Sequence, residues 1–114
     1  MPLPDFQKMM LPLLTSLDAG EVMSMRGVRE KLAQHFELAD EEFVSDQFYK
    51  NTNEAARHLV ASDLIVSLPG GYSITSLGRQ VLQRRLNFID TDFLKRLPGY
   101  EENILRNSGS EDFD

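Results

Sequence analysis

The chain has no cysteine. Disulfides and thiolate metal sites are therefore excluded, and cysteine usage leaves the redox compartment open. Histidine is scarce. His35 and His58 are the two present, and neither has a second ligand-type side chain at a spacing suited to metal binding. There is neither a P-loop nor a GxGxxG pattern, and no serine stands in a nucleophile-elbow context. No long hydrophobic run exists. The opening MPLPDFQKMMLPLL is interrupted by Pro2, Pro4 and Pro12 and carries Asp5 and Lys8. Neither a signal peptide nor a spanning segment is read there, and a cytoplasmic protein without a membrane partner is expected. These absences leave no catalytic residue, metal, cofactor or small-molecule ligand to name, so the chain is not expected to be an enzyme by itself.

Positive charge is also in short supply. Twelve Lys and Arg stand against eighteen Asp and Glu, for a net charge of −6. That argues against non-specific nucleic-acid binding, which phosphate neutralisation drives. The distribution changes the picture. Residues 90–114 hold seven acids against three bases, whereas residues 1–89 hold eleven against nine. The acidic excess is concentrated in the tail, and the remainder has to be judged face by face.

What is present suits one folded domain: 114 residues, 41% hydrophobic and 26% charged. The spacing predicts a first helix from about Asp5 to Asp18, kinked or broken at Pro12 because proline removes a backbone donor and crowds the preceding turn. "EVM" is long enough for one short strand, and Ser24 is placed to cap the next helix. There Met25, Val28, Leu32 and Phe36 form one apolar stripe, with Arg26, Glu30, Lys31 and Gln34 opposite. Acids in "LADEEFVSDQ" favour a short helical turn near Asp40. Over residues 48–62, Phe48, Thr52, Ala55, Ala56 and Leu59 cluster on one side at 100° per residue. Lys50, Asn53, Glu54, Arg57 and Ala61 point away, with Asn51 and His58 on a flank. "LIVSL" and "YSIT", joined through "PGG", form a hairpin signal. Thr75 then caps a helix predicted to reach about Asn87, with Leu77, Val81, Leu82 and Leu86 facing inward. Two short helices flank Pro98.

Helix, short strand, helix, helix, hairpin, helix is the order of a winged helix-turn-helix. The expected fold is therefore mainly α with a small β-hairpin, with 48–62 as recognition helix and 68–71 as wing tip. The expected organisation is a winged-helix domain over residues 1–89, a C-terminal helical extension packing on it over 90–107, and a disordered acidic tail or linker over 108–114, where apolar content is too low to pack.

Four stretches, LPDFQKMMLPLLTSL, FYKNTNEAARHLVASDLI, GGYSITSLGRQVL and FLKRLPGYEE, resemble in this order the N-terminal domain of the Mrr family of restriction endonucleases. The resemblance spans roughly residues 3–102. It implies a winged-helix domain that precedes a separate nuclease domain of the PD-(D/E)xK type, which cleaves modified DNA. Three departures stand out. Ala55 occupies a place where the family tends to have tryptophan, Val60 and Ala61 followed by "SDL" replace a basic pair followed by "AGL", and the wing tip Leu68-Pro69-Gly70-Gly71 lacks the family's lysine and arginine. The second and third remove phosphate-binding charge.

Lys50, Asn53 and Arg57, with Asn51 and His58 beside them, are the candidate readers of a major groove. Arginine fits guanine O6 and N7, and asparagine fits adenine N6 and N7. The bland alternative is a solvated polar face, and Glu54 in its midst supports that by repelling phosphates. Gly70, Gly71, Tyr72 and Ser73 are the candidate wing contacts, although positive φ in a tight turn suffices to explain the glycines. Arg26, Arg29 and Lys31 on one helix, and Arg79, Arg84 and Arg85 on another, are read first as solvated charge. The expected partner is double-stranded DNA, methylated DNA included, bound as the recognition module of an Mrr-like restriction system. The alternative is a protein-interaction or homodimerisation module that uses the bare wing with Leu68, Val60 and Ala61.

Overall fold

A computed structural model of the chain describes residues 3–105. Helices and one hairpin follow each other as α1 (Phe6–Ser16), α2 (Met25–His35), α3 (Asp40–Phe43), α4 (Asp46–Ala61), β1 (Ile65–Leu68), β2 (Gly71–Ile74), α5 (Ser76–Gln83) and α6 (Thr91–Leu94). Residues 100–105 are again helical. The fold is mostly helical with one two-stranded antiparallel hairpin, in the order of a winged helix. The tail expected over 108–114, and residues 106–107 of the extension, lie outside the described residues.

Local signals set the helix starts. Asp5 accepts from the Lys8 amide at 3.0 Å, Ser24 from Gly27 at 3.1 Å, Ser45 from Phe48 at 3.2 Å and Thr75 from Gly78 at 3.0 Å. Each hydroxyl or carboxylate satisfies an amide that the helix itself leaves without a partner. Of the kink or break expected at Pro12, the break does not occur. The helix is continuous from Phe6 to Ser16 because Met9, Met10, Leu13 and Leu14 are all buried on one side of it. That burial outweighs the one backbone hydrogen bond proline removes.

The core lies where α1 packs against both α4 and α2. Val28 and Leu32 of α2, Phe48, Ala55, Ala56 and Leu59 of α4, then Ile65, Ile74 and Val81 complete it. Ala55 is fully buried, so the small side chain stands in the helix contact itself and not on the groove side.

Two boundaries differ from the sequence expectation. "EVM" contributes a single antiparallel bridge, Met23 to Tyr72, in place of a strand. Met23 and Tyr72 exchange both backbone hydrogen bonds, at 2.8 and 2.9 Å, so β2 is paired on both edges at that residue. The last long helix ends at Gln83 and not near Asn87. Arg85 takes φ of 54°, and the chain turns there so that Ile89 reaches the core. Past that turn, the Gln7 side chain accepts from the Thr91 amide at 3.1 Å, and Leu94 and Tyr100 are buried.

Candidate nucleic-acid interface

An open groove of about 480 Å³ runs between α4 and the hairpin, lined by Lys50, Asn53, Glu54, Arg57, Val60, Ser67 and Tyr72. The helical repeat puts positions 50, 53, 54, 57 and 60 on one side of α4. Strand alternation puts Ser67 opposite Tyr72, facing the same way. Lys50 and Asn53 are exposed, and Glu54 and Arg57 are partly covered. Four of the nine expected contact residues, Lys50, Asn53, Arg57 and Tyr72, thus meet at one place. Ser67 was missed. Its signal is the alternation of "IVSL", which sends it to the side of Ile65.

The groove is not a uniformly basic surface. Arg57 Nε donates to Glu54 Oε1 at 2.6 Å. That hydrogen bond holds the Glu54 carboxyl below its ordinary value against the opposing effect of burial, and the charges of Arg57 and His58 add to the lowering. An ionised carboxylate therefore sits among the donors at neutral pH. Lys50, by contrast, is exposed at the groove edge.

Other expected contacts are engaged in the fold. His58 turns inward, which corrects its placement as a flank of the reading face. Its ring stacks on Phe6 with centroids 4.7 Å apart, and Nδ1 lies 2.5 Å from the Tyr100 hydroxyl. Ala61, expected on the exposed side, is buried, and its carbonyl accepts from Asn103 Nδ2 at 2.9 Å. Residues 100–105 lie against that end of α4 in both cases, and Phe6 of α1 covers His58 as well. Asn51 donates to the Pro4 carbonyl at 3.0 Å and accepts from Gln47 at 2.7 Å, which ties α4 to the chain before α1. Val60 is half-buried against the core as well as lining the groove.

The wing residues divide similarly. Gly70 has φ of +92° and open space around it, as the glycine of a Pro-Gly turn should. Gly71 answers to packing: a Cβ there would stand 2.1 Å from the Met23 carbonyl oxygen. Ser73 Oγ points to the Gly20 carbonyl at 3.4 Å, on the sheet face opposite Tyr72. Val66 and Leu68 are 39% and 40% exposed beside it.

Among the described residues, no group of three or more His, Cys, Asp and Glu side chains is gathered for a metal ion. No helix there is long and apolar enough to cross a membrane. Neither the curated proteins nor the solved structures contain a significant match to the chain. A family model, that of the Mrr N-terminal domain, matches residues 6–84, from the first residue of α1 to the end of α5. The chain belongs to the Mrr N-terminal domain family.

Proposed function

We propose that this chain is the DNA-binding module of an Mrr-like restriction system directed at modified DNA, with α4 as recognition helix and catalysis left to a nuclease domain elsewhere. Family membership associates the chain with restriction. The observation that carries the DNA reading is the convergence of Lys50, Asn53 and Arg57 on one groove beside the hairpin. In this reading Lys50 meets a phosphate, Asn53 reads a base edge, and Arg57 turns from Glu54 to a guanine. Tyr72 bounds the groove on the hairpin side. The single phosphate met by Lys50 gives a slope of log affinity against log salt of about −1, and phosphate contacts elsewhere or a second copy of the chain steepen it.

Fluorescence anisotropy with methylated and unmethylated duplexes, at low and moderate salt, tests this. Salt-sensitive binding that weakens in Arg57→Ala and Lys50→Ala supports it, and a methylation difference ties it to restriction. A folded protein with no binding at low salt refutes it.

A second reading, a protein-contact or dimerisation module, draws on the wing. Val66 and Leu68 are exposed there, and residues 65–74 carry no cation. Self-association by sedimentation, abolished by Leu68→Asp, would favour that reading.

A further inference from the structure

Arg29 reads in the sequence as a solvated charge, yet it is only 7% exposed. Its guanidinium crosses from α2 to α4. Cζ stands 3.6 Å from the centroid of the Tyr49 ring, and Nη2 donates to the Tyr49 hydroxyl at 2.6 Å. Among the described residues no carboxylate is within ion-pair reach of it, and its Nε is buried with no acceptor. A buried cation without a counter-charge is costly, and the ring face offsets only part of that cost.

A pocket of about 200 Å³ opens at this point, lined by Arg26, Arg29, Phe43, Val44 and Tyr49. None of these is an acid. Arg26 is exposed and leans on Glu30 at 3.7 Å, a loose surface pair that an incoming anion can compete with. Val44 and Tyr49 form an open rim, 71% and 45% exposed. Two guanidinium groups, a hydroxyl and an apolar wall together suit a tetrahedral oxyanion, because arginine presents planar paired donors to phosphate oxygens.

We propose that this pocket is a phosphate-binding site, with Arg29 as the buried anchor and Arg26 as the mobile arm. The Tyr49 hydroxyl, which accepts from Arg29, keeps its own proton to donate to the bound phosphate. The source is either inorganic phosphate or a phosphate of a nucleic-acid backbone, and the second rests on the DNA reading above. Tyr49 precedes Lys50 on α4, so a backbone phosphate here would hold the start of that helix against the duplex and set its register.

Thermal unfolding of the full chain in inorganic phosphate against chloride, at matched ionic strength, tests the site in wild type, Arg29→Met and Arg26→Ala. General exclusion of phosphate from protein surfaces raises all three alike. The wild type should show an excess of about 6 °C at a phosphate concentration some ten times its dissociation constant. That excess is lost in Arg29→Met and reduced in Arg26→Ala. Arg29→Met is expected to fold, since apolar replacement of an uncompensated buried charge is often neutral or stabilising. Were it not to fold, the exposed Arg26→Ala variant carries the test. Equal shifts in all three proteins overturn the site.

Duplex binding by the same proteins separates the sources. A uniform loss of affinity in Arg29→Met, with the salt slope reduced by about 1, identifies a backbone phosphate as the ligand. A phosphate-specific shift in a protein that binds no duplex supports the anion site with free phosphate as its ligand and refutes the DNA reading alone. Duplex binding without the phosphate-specific shift does the reverse.

Discussion

His58 Nδ1 lies 2.5 Å from the hydroxyl of Tyr100, 42 residues away, and this contact fixes the C-terminal segment to the helix that lines the groove. A neutral imidazole accepts at Nδ1 only when its proton is on Nε2, which faces Glu54 Oε1 at 4.0 Å. The groove carboxylate, the buried imidazole and the buried tyrosine are thus consecutive members of one polar chain, with Phe6 stacked over its middle.

Removing the last member should be felt in stability. Tyr100→Phe keeps the ring in place and takes away the hydroxyl, so His58 loses its partner in a buried setting. The expected cost is about 1–2 kcal/mol, read as a lowered urea midpoint with an unchanged slope. A midpoint equal to wild type would mean that the contact contributes nothing net.

The same histidine makes stability depend on pH. Burial lowers its affinity for a proton, Arg57 acts in the same direction, and Glu54 opposes both. The unfolded chain therefore binds the proton more readily, beginning near the ordinary value of 6.5. Stability is fully present above that pH and falls as pH drops through the lowered folded value. Glu54, also lowered, adds a second loss that begins below its ordinary 4.5. Urea midpoints measured from pH 7.5 down to 4 should fall in these two windows, and His58→Gln should flatten the upper one.

Adjacent glycines at the wing should behave differently. Gly70→Ala meets nothing but its own positive φ, an expected cost of about 1 kcal/mol. Gly71→Ala drives a methyl into the Met23 carbonyl in addition to adopting a strained φ of +152°, and should cost about 3 kcal/mol or more. Chemical denaturation of both variants checks the order. Equal costs would remove the packing explanation for Gly71.

Glu54 is the residue whose loss should improve duplex binding. Glu54→Gln removes a negative charge from the groove and releases Arg57 from its ionic hydrogen bond. Affinity at low salt should rise by about 3- to 10-fold, the scale of one exposed charge interaction. Stability should change by less than about 1 kcal/mol, as for other partly exposed ion pairs. Weaker duplex binding in this variant would instead make Glu54 a direct contact, such as an acceptor for a cytosine amine.

Much of this molecule is decided within short windows of its sequence. Ser24, Ser45 and Thr75 cap the helices that follow them because a hydroxyl beside the first turn meets an unpaired amide whatever lies elsewhere. Pro69-Gly70 turns the hairpin for the same local reason, and the 3.6-residue repeat brings Lys50, Asn53 and Arg57 to one side of α4. What periodicity cannot supply is which part of a helix surface another segment will cover. His58 and Ala61 read as flank and exposed side, and they are interior because residues 100–105 and, at His58, the Phe6 ring lie against them. Arg29 read as one more solvated cation, and it is buried because Tyr49 from a different helix lies across it. Gly71 read as a turn residue, and its need for a bare α-carbon comes from the Met23 carbonyl, brought close by a bridge across the sheet. Element type and helix faces follow from local hydrogen bonding and angular spacing. Burial and partner are decided by contacts between residues far apart in the chain, and these exist only once the whole chain has packed.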